Sequence, residues 1–159
     1  MVPLYLAAAI LAGMGSSQRM GEVSPFAVAV AQVSHRAFVV EAMWDDADKI
    51  ENHSGWSLRG AGDWHCGVLT IGAGYSYRRT SAWSKDAWWA RAGVQQGPLW
   101  LLASIAPDSR GMEAKLEARL RLRHRWAVVE PRAWVGTHST AEEIGGYAFG
   151  VDILIGGAR

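Results

Sequence analysis

A late segment of the chain carries side chains that could perform nucleophilic catalysis. His138, Ser139 and Thr140 are consecutive, and Glu142 follows two residues later. A hydroxyl nucleophile needs a base within hydrogen-bond reach and an acid that orients the base, so these residue types suit a hydrolase site. Adjacent residues of a strand point to opposite faces, however, and only Thr140 shares the parity of His138. Because Thr is the poorer nucleophile for this role, the pattern favours a polar loop without catalysis.

Other chemistry is not indicated by the residue spacing. The remaining histidines, His35, His53, His65 and His124, lack the spacing of metal ligands. No glycine-rich segment is followed by a helical pattern that could cradle a phosphate. The 16 Lys and Arg residues are interleaved with 15 Asp and Glu rather than massed in one region, which argues against a nucleic-acid partner. We therefore expect no metal, no cofactor and no nucleic acid.

Charged and apolar residues alternate strictly over residues 112–123, which read Met-Glu-Ala-Lys-Leu-Glu-Ala-Arg-Leu-Arg-Leu-Arg. In a helix the apolar residues of this segment would scatter around the axis, whereas in a strand they share one face. Twelve residues make a long strand for a soluble sheet. The length and the two unlike faces suit a tilted membrane strand, with one lipid face and one polar face.

Similar segments recur from Arg36 onward and give eight predicted strands. Short turns are predicted at 64–65, 97–98 and 124–125, and longer loops at 45–55, 80–86, 107–111 and 137–145. Alternation of tight turns and longer loops is typical of outer-membrane barrels. The sequence therefore predicts an all-β, antiparallel, up-and-down, eight-stranded transmembrane β-barrel, as a single domain over residues 24–157.

Placing the apolar faces outward leaves a charged interior. The predicted interior network consists of Glu41, Arg91, Glu113, Lys115, Glu117, Arg119, Arg121, Arg123, Glu130, Arg132 and Asp152. Side chains fill an eight-stranded barrel, and buried charges must be paired, for instance Glu117 or Arg119 with Arg132 or Glu130. We expect a plugged interior without an open pore. Pro131 falls within a predicted strand and predicts a bulge there.

Tryptophans concentrate near the predicted strand ends. The set is Trp44, Trp56, Trp64, Trp83, Trp88, Trp100 and Trp126. Such positions are typical of the aromatic belts that lie at membrane interfaces.

The N-terminal region is predicted to be a leader. Residues 4–14 have the length of a signal-peptide apolar region and precede small residues, although no positively charged segment comes first. We expect residues 1–20 to form a signal peptide or an N-terminal hydrophobic segment, such as a short membrane-associated or buried helix, and we expect the protein to be exported. Residues 26–33 are also β-like. They fit an extension of the first strand, a ninth strand or part of the leader.

In its strand pattern, the segment 36–157 resembles the small eight-stranded outer-membrane β-barrel proteins, although it ends Gly-Gly-Ala-Arg rather than on an aromatic residue. The resemblance implies a monomer in the bacterial outer membrane, in contact with lipid and lipopolysaccharide. We expect a structural or surface-interaction role, with loop 45–55 as the external contact surface.

Two alternatives remain open. One enzymatic family among these barrels, the outer-membrane lipid A deacylases, carries a late His and Ser two residues apart with a Glu further on. Similarity to it implies a lipid hydrolase using His138 with Ser139 or Thr140, oriented by Glu142. The second alternative is a soluble lipocalin-like barrel, with an apolar interior that binds a ligand and with its charges outside.

Overall fold

The computed structural model describes residues 6–19, 22–35, 37–46, 55–80, 84–108, 111–138 and 146–158. Within these ranges the regular structure is entirely β, and no helix there is long and apolar enough to cross a membrane. The strand segments in chain order are β1 (Leu6–Arg19), β2 (Glu22–His35), β3 (Phe38–Asp45), β4 (Gly55–Cys66), β5 (Leu69–Thr80), β6 (Ser84–Gln96), β7 (Leu99–Asp108), β8 (Gly111–Leu120), β9 (Leu122–His124), β10 (Ala127–His138) and β11 (Gly146–Ala158).

The segments form one closed antiparallel barrel. Each segment from β1 to β7 pairs with the next along the chain, β10 pairs with β11, and β11 pairs back with β1. Both β8 and β9 pair with β10, so they are two parts of a single barrel strand. The wall built by the described residues therefore has ten strands.

The prediction of eight strands is wrong because two further wall strands precede Arg36: β1, in the segment interpreted as a leader, and β2, which follows it. Strand β1 pairs with β2 from Leu6–His35 to Arg19–Glu22, and with β11 from Ala9–Ala158 to Arg19–Ala148. The barrel thus begins at Leu6 rather than at residue 24, and the β-like residues 26–33 belong to β2. In β1 the side chain of Leu11 points into the barrel while Ile10 and Met14 point outward. Because β1 has apolar residues on both faces, its sequence is an unbroken apolar run, and such a run is also typical of a signal peptide.

The two ends of the barrel differ in their connections. One end, here called the turn end, carries the two-residue turns at 67–68, 97–98 and 125–126, together with the connection at 36–37 and both terminal strand ends. The first residues of three of these turns have positive φ: 63° at Gly67, 56° at Gly97 and 52° at Arg125. The turn predicted at 64–65 is wrong, because β4 continues to Cys66. The opposite end, the loop end, carries the connections 20–21, 46–54, 81–83, 109–110 and 139–145, of which 46–54 and 139–145 are the longest. The longer loops predicted at 80–86 and 107–111 are wrong, because the strands β5 to β8 extend into these segments.

The distribution of apolar and charged side chains is the reverse of that in a soluble protein. Outward-facing apolar side chains are exposed, including Ile10 at 74%, Trp88 at 70% and Leu116 at 60%. Inward-facing charges are buried, with Glu130 at 0% and Arg119 at 4%. Strand alternation places the two sets on opposite faces of the wall.

Five of the tryptophans predicted to form belts are exposed: Trp44, Trp56, Trp64, Trp88 and Trp126. The prediction is wrong for Trp100, because its side chain is 7% exposed and faces the interior. It has the parity of Leu102, which also points inward, and opposite to that of Leu99 and Leu101. Trp83 lies outside the described residues.

Pro131 is accommodated without the predicted bulge. On one side of it Arg132 faces Arg119, and on the other Val128 faces Arg123, so three residues on each strand lie between the two pairs. The register is therefore unchanged across the proline. Between the two ladders, pairing is missing where Leu120 lies opposite Pro131 and Arg121 lies opposite Glu130, because proline has no N–H to donate. This gap divides the strand into β8 and β9.

Candidate functional site in the barrel lumen

Charged side chains of both signs fill much of the lumen. Among the described residues that point inward, the cations are Arg59, Arg78, Lys85, Arg91, Lys115, Arg119, Arg121 and Arg132. The inward-facing acids in the same ranges are Glu41, Asp45, Asp63, Glu113, Glu117, Glu130 and Asp152. Because side chains alternate between faces, these charges could reach the lumen only from strands whose other face is apolar.

A bidentate ion pair spans the lumen. The guanidinium of Arg119 donates to Glu41 through Nη1 at 2.8 Å and Nη2 at 3.1 Å. Strands β8 and β3 lie on opposite sides of the ten-stranded wall. Arg119 also donates through Nε to Glu117 on its own strand. Its planar fork of donors suits such simultaneous pairing, and the contact ties opposite walls together.

A second buried pair joins two nearby strands. Arg91 Nε donates to Asp63 Oδ1 at 2.6 Å, and Arg91 Nη1 lies 3.8 Å from Glu41 Oε1. A Cβ at Gly72 would stand 1.9 Å from Asp63 Oδ1, so glycine leaves the space that this carboxylate occupies. Gly74 likewise lies beneath the indole of Trp89, which a Cβ would approach to 2.3 Å. Two inward-facing glycines thus make room for larger neighbours.

Glu130 organises the charges near the turn end. Its carboxylate accepts from Arg132 Nε at 2.7 Å and from Arg121 Nε. Arg121 also donates to the amide oxygen of Gln32, and its guanidinium lies 5.5 Å from the centroid of the Trp100 ring. The side chains of these four polar residues and the indole occupy the lumen there.

Apolar side chains occupy the part of the lumen next to β1. The cluster, here called the apolar sector, consists of Leu11, Phe26, Val28, Val30, Val128 and Leu154. These residues come from β1, β2, β10 and β11, and Met43 packs against them. Charged side chains therefore enter the lumen from β3 to β6 and from β8, β10 and β11, whereas the inward side chains described for β1, β2 and β7 carry no charge.

A cavity of about 130 Å³ lies toward the loop end of the lumen. Its lining includes the cations Arg59, Arg78 and Lys115 and the rings of Trp89 and Trp134. The ammonium of Lys115 lies 5.1 Å from the Trp134 ring centroid and 2.8 Å from Glu117 Oε2. The cavity thus has charged, aromatic and aliphatic side chains in its walls.

Two acids hold cations at the loop end of this cavity. Glu113 accepts from Lys85 at 2.8 Å and lies 3.7 Å from Arg78 Nη1. Asp45 lies 3.5 Å from Arg59 Nη2, and its Oδ2 accepts from Ser57 Oγ at 2.8 Å.

The structure places the predicted network residues as follows. Glu41, Arg91, Glu113, Lys115, Glu117, Arg119, Arg121, Glu130, Arg132 and Asp152 face the lumen. Arg123 has the same parity but is exposed near the turn end. The suggested pairs between neighbouring strands, Glu117 with Arg132 and Arg119 with Glu130, are not among the described hydrogen bonds, because Arg119 and Arg132 face each other in register. Each instead bonds an acid two residues away on its own strand, because residues i and i+2 share a face.

Five luminal charges were not predicted: Asp45, Arg59, Asp63, Arg78 and Lys85. Asp45 and Lys85 were assigned to loops, whereas the strands extend to include them. Arg59 and Asp63 lie in β4, whose glycines weaken the apolar alternation that would have assigned its faces. The signal that could have revealed them is the shared parity of Ser57, Arg59, Ala61 and Asp63.

The predicted catalytic residues have no described geometry. His138 ends β10, and its side chain lies outside the described residues, as do Ser139, Thr140 and Glu142. In the ranges the structure covers, no group of three or more His, Cys, Asp or Glu side chains could hold a metal ion.

Comparisons with known proteins give distant structural similarities. No family model matches the chain, and no curated protein sequence matches it. The attachment invasion locus protein Ail of Yersinia pestis, solved in complex with the heparin analogue sucrose octasulfate, aligns at TM-score 0.48 and 8% identity over 97% of this chain and 99% of that one. Neisserial surface protein A aligns at TM-score 0.44 and 7% identity, covering 96% of this chain and 95% of that one. The chain's own geometry defines its class: a closed antiparallel β-barrel with an apolar exterior and a charged lumen.

Proposed function

We propose that the chain is a bacterial outer-membrane β-barrel protein whose apolar exterior contacts lipid. The observation that carries this proposal is the inverted distribution of side chains around a closed wall. Each large apolar side chain left in water forgoes about 1.5–3 kcal/mol of burial free energy. Contiguous apolar patches of this extent mark surfaces that are covered by a partner or by lipid. A ring of apolar residues around the whole barrel fits lipid, whereas a soluble lipocalin-like barrel would have the reverse distribution.

The dimensions of the wall support this proposal. Strands β4 to β7 have 10 to 13 residues. At about 3.3 Å per residue and a tilt of about 40°, such strands rise roughly 25–33 Å, close to the height of the apolar band in membrane barrels. The exposed rings of Trp44 and Trp56 lie toward the loop end, and those of Trp64 and Trp126 toward the turn end. We propose that these rings lie at the two membrane interfaces.

We propose further that the barrel is non-catalytic and has no open pore. Two features of the lumen support the closed state: the side chains around Glu130, Gln32 and Trp100 occupy its charged part near the turn end, and the apolar sector occupies the part next to β1. The pair between Arg119 and Glu41 also crosses the lumen, in the path that an ion would take.

The proposed role is structural or surface-interacting. In this orientation the turn end faces the periplasm, and the loop end meets lipopolysaccharide and the exterior. Loop 45–55 is the proposed contact surface for an external partner, since binding residues concentrate on loops held by rigid scaffolds. The proposed state is a monomer, because the wall closes on itself within one chain.

A pair of arginine substitutions tests the membrane assignment. Leu116→Arg places a charge at the middle of an outward face, where lipid contact makes it cost about 2–4 kcal/mol of folding free energy in phospholipid vesicles. Trp126→Arg, in the turn at 125–126, is the matched control and should cost about 0–1 kcal/mol. Heat-modifiable migration in a detergent gel verifies that each variant forms the barrel. Equal effects at both positions, or a wild-type chain that stays in solution without detergent, would contradict the proposal.

Planar bilayer recordings test the closed lumen. Insertion of the heat-modifiable wild-type form should produce no stepwise conductance. Regular conductance steps that disappear when the protein is boiled first would show an open pore instead.

A further inference from the structure

We infer that the turn end of the barrel binds anionic phospholipid headgroups through a basic rim, which consists of Arg123, His124 and Arg125. The inference rests on the proposed membrane function and deepens it, because it names the class of lipid that surrounds this end of the wall. Three observations carry it. The segments that build the turn end contain no acid, the basic rim is exposed, and the apolar outer face runs up to it.

Acidic residues are missing from the sequence of the segments that build the turn end. All 15 Asp and Glu residues of the chain lie outside the segments 6–12, 31–38, 64–70, 93–102, 118–129 and 153–158. The cations in the same segments are Arg36, Arg119, Arg121, Arg123 and Arg125. A chain whose total charge is nearly balanced therefore carries only positive charge in the segments at this end.

The arginines near the turn end divide into a luminal pair and an exposed pair. Arg119 and Arg121 form ion pairs with acids inside the lumen. Arg123 and Arg125 are exposed, as is His124 between them. Neither arginine of the basic rim takes part in any of the ion pairs that the structure describes. Their charge is thus available to a partner outside the barrel.

The basic rim lies at the level of the lipid headgroups, because the apolar outer face ends beside it. Leu122 and Val129 are paired in register on the outer face and are 50% and 37% exposed. Trp126, in the turn between their strands, is 74% exposed, and such a ring suits the membrane interface. Arg123 and Arg125 follow Leu122 by one and three residues, within about 10 Å at roughly 3.3 Å per residue. Acyl chains that cover Leu122 therefore bring their headgroups to the basic rim.

The uncompensated charge favours anionic headgroups over zwitterionic ones. A guanidinium binds phosphate oxygens through paired hydrogen bonds, and the ammonium group of a zwitterionic lipid competes with it for the same phosphate. Each arginine near an anionic membrane surface strengthens the association about fivefold. The loop end provides the contrast, because the outer face there carries the exposed Asp86 on the strand next to the exposed Arg79.

The experiment identifies the lipid that lies beside Trp126 after the full chain has been refolded into vesicles of phosphatidylcholine and phosphatidylglycerol. Bromine atoms on the acyl chains quench tryptophan on contact, and only one of the two lipids is brominated in each sample. The contribution of Trp126 is the difference in quenching between the wild-type chain and Trp126→Phe. Phosphatidylglycerol should be enriched about fivefold or more beside Trp126, and the enrichment should fall as salt screens the charges.

The combination of Arg123→Gln and Arg125→Gln should remove most of this enrichment, with Trp126→Phe as the reference in the same background. The two lysine substitutions at these positions should retain part of it, because the charge is kept. Arg79→Gln is the matched control, since Arg79 is an exposed arginine on the outer face near the loop end. It should leave the enrichment beside Trp126 unchanged. Gel migration of each variant, unheated and heated, identifies those that fold.

Equal amounts of the two lipids beside Trp126 in the inserted wild-type barrel would overturn the inference and would leave the basic rim to an acidic soluble partner. Enrichment that persists in the folded double glutamine variant would overturn it as well. Should that variant not fold, the wild-type enrichment and its dependence on salt decide the matter. A chain that neither brominated lipid quenches has not entered the membrane, and this result would contradict the proposed function together with the inference.

Discussion

The lumen has two unlike walls, and each is stabilised by a different kind of interaction. Along β3 to β8 the inward side chains are mostly charged or polar and are held by directional ion pairs such as Arg119 with Glu41. Along β1 and β2 they are mostly apolar and pack as the sector around Leu11 and Val30. One closed wall thus combines the interior of a membrane barrel with a small hydrophobic core.

The difference shows how strand patterns depend on what each face contacts. A strand with lipid outside and charges inside alternates visibly, as residues 112–123 do. A strand with lipid outside and an apolar core inside loses that alternation. Substitutions in the two walls should therefore differ in how much they lower the free energy of unfolding, and in whether a second substitution can restore it.

Removing β1 is expected to have the largest effect. A chain that starts at Gly21 loses the strand that pairs with both β2 and β11, and leaves two unpaired edges in the wall. We expect no heat-modifiable form in detergent. A chain lacking only residues 1–5 keeps β1 and is the control. A compact, heat-modifiable product from the shorter chain would instead support the leader interpretation of residues 1–20.

Breaking the ion pair that crosses the charged wall should cost about 3–5 kcal/mol. Arg119→Met leaves the carboxylates of Glu41 and Glu117 without their shared cation. Urea titration of the barrel in micelles measures the loss. The double variant Glu41→Gln with Arg119→Met should recover part of it, because one stranded charge is removed. A loss below about 1 kcal/mol in the single variant would show that water or a neighbour replaces the pair.

Truncating the apolar wall should cost about 2–4 kcal/mol. Leu154 is 0% exposed and packs inside the sector, so Leu154→Ala leaves a cavity that its neighbours fill only partly. Leu116→Ala on the outer face is the control and should cost less than about 1 kcal/mol, since mobile detergent or lipid chains close the space. Equal losses in the same urea titration would mean that the sector is not packed as a core.

The smallest expected effect lies outside both walls, at the turn end. Arg125 has a φ of 52°, a conformation that costs an L-residue with a side chain about 1 kcal/mol. Arg125→Gly should therefore stabilise the barrel by about that amount. Gly97→Ala, at the corresponding position of another turn with a φ of 56°, should destabilise it similarly. Both changes are measurable as opposite shifts of the urea midpoint, and shifts in the same direction would contradict this interpretation.

Much of the charged wall could be predicted from sequence, because alternation assigns a face to every residue once one face is known. The inward orientation of Glu117, Arg119, Glu130 and Arg132 follows from parity alone. Their partners do not, since parity says nothing about what lies across the lumen. The contact between Arg119 and Glu41 depends on the strand number, which places β3 opposite β8.

The apolar wall could not be predicted from the sequence, because apolar residues occupy both of its faces. The same inward-facing apolar residues stabilise it by packing. Leu11 and Ile10 are adjacent and both apolar, although one faces the core and the other faces outward. Such a run is equally typical of a signal peptide or a buried helix. The loop-end cavity could not be predicted from the sequence either, because its lining includes residues of distant strands, such as Arg59 and Asp152.

The pairing between β1 and β11 also determines when the barrel can close during synthesis. Ala9 pairs with Ala158, so β1 finds one of its two partners only after β11 has been synthesised, about 140 residues later in the chain. Contacts between distant parts of a chain form slowly, and unpaired apolar strands aggregate while they wait. Until β11 is synthesised, Ile10 and Met14 belong to a strand with one open edge. Any chain that lacks β11 therefore leaves the outward apolar residues of β1 beside an unpaired edge.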